Sequence, residues 1–251
     1  MRRLVALTAT GVLAAALLTG CGSDAPSGES VTVFAAASLK QSFTQLGNQF
    51  EGDHPGTTVE FSFAGSSDLV TQLTQGASAD VFASADATNM QKAADAGLLD
   101  GSPVNFASNV LTIAVAPGNP KAVTSFRDLT RPGLTVVTCA PQVPCGSATQ
   151  KVERSTGVTL APVSEESSVT DVLNKVSSGQ ADAGVVYVTD VAGAGGSSTA
   201  VDFPESAGAV NTYPIATLQD AANAERARDF VDFVTGPAGQ QVLRQAGFGA
   251  P

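Results

Sequence analysis

Short runs rich in β-branched and aromatic residues alternate with stretches of helical periodicity along most of this chain. That alternation restricts it to sheets covered by helices. Val31–Phe34 reads as a buried strand, and Leu39, Phe43, Leu46 and Phe50 then share one helix face. A strand over Thr58–Phe63 leads to a helix that uses Leu69, Val70 and Leu73. Ala79–Ala83 is a short strand, and Asn109–Ala116 an apolar one closed by Pro117-Gly118-Asn119-Pro120. The scheme then repeats. Leu134–Thr138 is a strand, Ser147–Thr156 a helix stopped by Gly157, and Val169, Val172, Leu173 and Val176 form a helical stripe ended by Gly179. Ala183–Val188 is a strand, and helices over Ala221–Val234 and Pro237–Ala246 finish the chain. Gly193–Ser198 reads as a loop, since its glycines miss the G-x-G-x-x-G spacing of a dinucleotide site. A mature length of about 220 residues favours two lobes. No internal sequence repeat accompanies them.

The start of the chain sets a compartment. Arg2 and Arg3 precede an apolar run, Leu4–Leu18, that is short for a bilayer and laid out like a signal peptide. It ends in Leu18-Thr19-Gly20-Cys21, which resembles the lipobox of bacterial lipoproteins. The resemblance implies a signal peptide over residues 1–20, cleavage before Cys21 and a diacylglycerol on its thiol. Residues 21–30 then form a polar tether. Without the leader the chain holds 11 basic and 23 acidic residues, a formal charge of −12. Such a chain is a poor partner for nucleic acid. Any anion it holds must be bound by local dipoles and hydrogen bonds, not by net charge.

Enzymatic and metal chemistry find little footing. No G-x-S-x-G elbow, Walker loop, H-E-x-x-H or EF-hand loop is present, and no catalytic residue is assigned. The one histidine, His54, sits in the turn-like Glu51–Gly56, and with two distant cysteines it makes no zinc set. Cys139 and Cys145 are candidates for a disulfide in an oxidising compartment. Asp80 and Asp86 suggest paired carboxylates, but turn and capping roles suit them better.

Four segments instead bring small residues to the start of a helix: Val31–Leu39, Val59–Ser67, Val143–Ser147 and Ser167–Val169. A helix start carries unpaired N–H groups and partial positive charge, and is a ready anion site. Each is also open to a plainer reading. Ser38 with Gln41 has the spacing of a capping box, and so does Ser168 with Asp171. Capping does not account for Gly65 or Ala35-Ala36-Ala37, whose small size lets something approach the backbone. Tyr187 ends its strand at the edge where open α/β sheets bind ligands, though a core ring with its hydroxyl at the rim fits it equally.

Together these motifs resemble the bacterial molybdate-binding proteins of ABC importers. The likeness is carried by Val31–Leu39, Phe63–Leu69, Ala79–Asp86, Gly184–Tyr187 and Phe233–Phe248, within a match from about Ser30 to Phe248. It implies an α/β, two-lobed type II periplasmic binding protein fold. Each lobe would be a mostly parallel sheet flanked by helices, and two crossover segments would join them. Lobe 1 would be residues 31–108 with 205–251, and lobe 2 residues 109–204. Ser38 and Ser66 would each give a hydroxyl and an N–H to a tetrahedral oxyanion, molybdate or tungstate. Cys145 and Val169 would give backbone N–H groups, and Tyr187 its hydroxyl. Family members often carry alanine where Cys145 stands, which matters little for an N–H donor. A Cys139–Cys145 bridge would stiffen that ligand loop. The resemblance further implies a monomeric receptor with no enzymatic step, cofactor or direct metal ligand, partnered by the permease of an ABC importer. It would be exported and held by its lipid on the outer face of the cytoplasmic membrane. Two alternatives stay open: a receptor of this fold for another oxyanion such as sulfate, and a lipid-anchored envelope protein that binds nothing.

Overall fold

From Val33 onward the first strand is apolar on both faces, as a strand covered by helices on each side must be. A computed structural model describes residues 29–251; the leader, Cys21 and the tether through Gly28 lie outside them. The first stretch holds β1 (Glu29–Ala36), a 3-10 turn (Ala37–Leu39), α1 (Lys40–Asp53), β2 (Thr57–Ala64), α2 (Ser66–Thr74), β3 (Val81–Ala83), α3 (Ala87–Asp95) and β4 (Val104–Asn109). The middle stretch holds β5 (Leu111–Val115), β6 (Val136–Cys139), α4 (Pro144–Thr156), β7 (Ser164–Glu166), α5 (Val169–Ser177), β8 (Ala183–Tyr187), α6 (Val188–Ala192) and β9 (Thr199–Val201). The last holds β10 (Asn211–Thr217), α7 (Ala224–Thr235) and α8 (Pro237–Gln245).

These elements make two five-stranded sheets, ordered β2-β1-β3-β10-β4 and β7-β6-β8-β5-β9. In the first, β1 pairs in parallel with β2 and β3, while β10 runs antiparallel to both β3 and β4. In the second, β6 pairs in parallel with β7 and β8, while β5 runs antiparallel to β8 and β9. Each sheet is therefore mostly parallel, with four strands running one way and a single reversed strand, β10 in the first and β5 in the second. The antiparallel pairings come from strands that carry the chain between lobes. The expected strand over 109–116 divides at Val110: β4 ends in one sheet and β5 begins in the other. The return follows the 3-10 turn Pro204–Ala209, whose Ala209 belongs to the second core with Phe203. That places the return later than residue 205. Asn109 and Asn211, one on each crossing, face each other in register.

Packing follows the helical stripe. Leu39, Phe43, Leu46 and Phe50 are fully buried against the first sheet. The Phe43 ring lies 6.2, 5.7 and 6.3 Å from those of Phe61, Phe106 and Phe230, joining α1 to β2, β4 and α7. His54 ends α1 with Nδ1 2.9 Å from the Phe50 carbonyl and its ring stacked on Phe50. Asp80 accepts the Thr32 N–H at 2.7 Å, and Asp86 caps α3 through the Asn89 N–H at 2.8 Å. Both are structural carboxylates; burial pushes Asp86 above its ordinary range.

Phe43→Ala removes the ring common to four elements. A loss of about 3–5 kcal/mol in unfolding free energy is expected for such a truncation, measurable by urea denaturation. A loss under about 1 kcal/mol would show that the aromatic cluster does not hold this lobe.

Candidate functional site

The carboxyl ends of the parallel strands all face the space between the lobes, where α/β sheets offer helix starts to ligands. From β1 the chain enters the 3-10 turn that carries Ser38. From β2 it enters α2, whose first residue is Ser66 behind the N-cap Gly65. From β6 it enters α4, with Val143 as N-cap, Pro144 first and Cys145 second. From β7 it enters α5, with Ser168 as N-cap and Val169 first. Tyr187 closes β8. All five predicted residues, Ser38, Ser66, Cys145, Val169 and Tyr187, line one cavity that opens to solvent. Small residues such as Ala36, Ala37 and Ala85 fill the gaps between them, and no charged side chain among the described residues lines it.

One capping expectation and one helix start do not hold. Helix α1 starts after Leu39 without a side-chain cap. Ser38 turns its hydroxyl to the Tyr213 phenol instead, at 3.0 Å. Helix α4 starts at Pro144, earlier than the expected Ser147, because proline fits the first helical position with no N–H to lose. Cys145 thus lies inside the first turn and does not precede it. The Ser168 cap is present: its Oγ accepts the Asp171 N–H at 3.3 Å. The N–H groups of Ser66, Cys145 and Val169 have no hydrogen-bond partner among the described residues, as first-turn positions dictate.

The hydroxyls are organised by fixed donors. Ser66 Oγ accepts the Ala85 N–H at 3.0 Å. Tyr213 accepts from Asn109 Nδ2 at 3.4 Å and lies against Ser38. Fully buried Tyr213 shares a hydrogen bond with Ser38 Oγ in which either hydroxyl can donate, so a ligand that accepts from Ser38 leaves its oxygen to take the Tyr213 proton. Burial, then the neighbouring Tyr213, pushes Tyr187 well above its ordinary 10.0, so it stays an O–H donor. An acceptor-only ligand would meet donors on every side.

Cys139, ending β6, and Cys145 are joined by a disulfide. The loop between them folds over Gly146, where a Cβ would lie 2.0 Å from the Ala140 carbonyl oxygen. The bridge fixes the start of α4 to the strand that delivers it. Among the described residues no cluster of histidine, cysteine or acids forms a metal set, and no helix is long and apolar enough to cross a membrane.

The lobes meet closely. Gly65 has a backbone conformation open to any residue, φ −60° and ψ 138°. Its lack of a side chain is a matter of space: a Cβ would stand 2.1 Å from the Ser167 carbonyl oxygen of the other lobe. Asn109, Asn211 and Tyr213, which steer the hydroxyls, had no sequence signal beyond polar residues near Pro214. That proline stands at a register shift within β10 and disguises a central strand.

Comparison with known proteins agrees with this architecture. Residues 31–249 match the family model described as bacterial extracellular solute-binding protein. The chain belongs to that family. A curated relative of this solute-binding protein, molybdate-binding protein ModA of Mycobacterium tuberculosis (strain ATCC 25618 / H37Rv), is 55% identical over 254 residues. That alignment covers 96% of this chain and 97% of the relative. The Azotobacter vinelandii periplasmic molybdate-binding protein matches in structure with TM-score 0.77 at 23% identity, over 88% of this chain and 99% of that one. The sulfate-binding protein SubI of Mycobacterium tuberculosis H37Rv also gives TM-score 0.77, at 21% identity, over 88% and 86%. At these identities the two structures share the fold.

Gly65→Ala in this solute-binding protein should hold the lobes apart, giving a larger radius of gyration by small-angle X-ray scattering. Unchanged scattering would mean that Gly65 is not where the lobes stop. A second expectation concerns Asp190, whose carboxylate accepts the Tyr187 N–H at 2.9 Å. Burial raises it from 3.8 to about 7. Its folded-state pKa is raised, so its contribution to stability is complete below about pH 4 and is lost as pH rises through about 7. Asp190→Asn should flatten the melting-temperature profile between those pH values. An unchanged slope would place the effect elsewhere.

Proposed function

We propose that this chain is an extracytoplasmic receptor for molybdate and tungstate that delivers the oxyanion to the permease of an ABC importer. The observation that carries this reading is the uncharged cavity lined by Ser38, Ser66, Cys145, Val169 and Tyr187 from both lobes. The 55% identity to a molybdate-binding protein supports the choice of ligand. The hydroxyls of Ser38, Ser66 and Tyr187 and the N–H groups of Ser38, Ser66, Cys145 and Val169 replace the ligand's water. Taking a dianion out of water costs many kcal/mol, and only a full set of donors offsets it. Neutral donors at helix starts do this without a lysine or arginine.

Selectivity follows from the same donors. A protonated phosphate would turn its O–H toward another donor and leave both unpaired. Molybdate and tungstate carry no proton near neutral pH and differ little in size, so the site separates them weakly. Sulfate is smaller, and donors held at a fixed spacing do not close on it. The protein holds its ligand and makes no bond to it, so the reading is a receptor and not an enzyme. Residues 1–20 direct export, lipidated Cys21 holds the monomer to the outer face of the cytoplasmic membrane, and the tether lets it reach the permease. The first lobe comprises the opening segment and the return from β10, and the second lies between.

Calorimetry of the soluble form against molybdate, tungstate, sulfate and phosphate tests the ligand. Strong heats with the first two and weak ones with the others are expected; tighter sulfate binding would reverse the assignment. A hydrogen bond to a charged group is worth about 1.5–3 kcal/mol. Ser38→Ala with Ser66→Ala should therefore cost at least about a hundredfold in molybdate affinity, with the far-ultraviolet circular dichroism unchanged. Unaltered affinity in that double variant would refute the site.

A further inference from the structure

Asn211 lies outside the cavity lining, yet its side chain touches both halves of the site. It is 4% exposed and opens β10 at the return crossing. Its Nδ2 donates to the Ala85 carbonyl at 2.7 Å and to the Tyr187 hydroxyl at 2.9 Å. The Pro144 carbonyl, in the first turn of α4, stands 3.5 Å away. Two carbonyl oxygens in front of this atom require it to be the nitrogen of the amide. The amide oxygen is left buried without a partner among the described residues. An unpaired buried acceptor costs free energy, so the orientation is held by what the nitrogen does.

Those two short bonds reach a donor on each side of the cleft. Ala85, bonded at its carbonyl to Asn211, gives its own N–H to Ser66 Oγ. Tyr187 takes an N–H from Asn211, and the Tyr213 hydroxyl beside it is already engaged by Asn109 and Ser38. Its hydroxyl oxygen is thereby occupied from behind while its proton is left for the cavity that it lines. Without Asn211 the phenol O–H would be free to turn inward to the exposed Ala85 carbonyl and present a lone pair to the ligand. A lone pair facing an oxyanion repels it.

We propose that Asn211 is a positioning residue for oxyanion recognition: it fixes the Tyr187 hydroxyl as a donor and ties it to the Ser66 side of the site through Ala85. The inference rests on the molybdate reading above.

The test is a double-mutant cycle in the full mature chain, with Asn211→Ala, Tyr187→Phe and the pair, titrated with molybdate by calorimetry. Asn211→Ala should weaken binding at least tenfold in the parent. In the Tyr187→Phe background it should cost less than about twofold, because the hydroxyl it steers is gone. A purely structural role would cost the same in both backgrounds, and that result overturns the proposal, as does an Asn211→Ala variant with parental affinity. Circular dichroism melts check that each variant folds. Should Asn211→Ala not fold, Asn211→Ser keeps a short donor and enters the same cycle with the same criterion. A parent chain that gives no heat with molybdate overturns the molybdate reading and this inference together. A binding parent without coupling overturns this inference alone.

Discussion

A backbone N–H at the first turn of a helix has no acceptor within that helix, and everything distinctive in this chain follows from where it puts such groups. Parallel strands end at the cleft, so the helices that follow them must begin there. In each lobe one strand pairs in parallel with the two that follow it in the chain, β2-β1-β3 in one and β7-β6-β8 in the other. Repeating one winding in two lobes and setting them face to face makes unpaired donors converge without any cationic side chain. An acidic protein can hold an anion in this way, since the attraction is local and the net charge is far from it in effect.

Convergence needs closeness, and small residues supply it. Ala36, Ala37 and Ala85 leave the backbone accessible, and Gly65 lets one lobe come against the Ser167 carbonyl of the other. The disulfide from Cys139 to Cys145 holds the start of α4 against its own strand. The hydroxyls need direction as well as place. They take it from Asn109 and Asn211, the two residues at which the chain crosses between lobes.

Much of this is legible in the sequence where local chemistry decides the outcome. The stripe Leu39–Phe50, the Gly157 and Gly179 stops and the strand–helix rhythm all rest on periodicity and turn residues. The five cavity residues came from their likeness to a family and from small residues at helix starts. What periodicity misses is decided by tertiary pairing. β10 carries Pro214, which locally argues against a central strand, and the 109–116 run hides a change of sheet because both halves are apolar. The false capping box at Ser38 has the right spacing, but the hydroxyl finds Tyr213, a partner 175 positions away, which no local rule detects.

The pairing of Asn109 with Asn211 sets a mechanical condition on the cleft. Two crossing strands bonded side by side flex easily, but sliding one past the other breaks ladder bonds. A motion that kept those bonds would be a bend at the crossings, and a bend would bring the same donors to the same point. The ligand radius would then be set by where such travel ends, at Gly65 against Ser167. A stop made of backbone does not yield as a side chain would. The molecule gauges its ligand with the stiffest part of the chain.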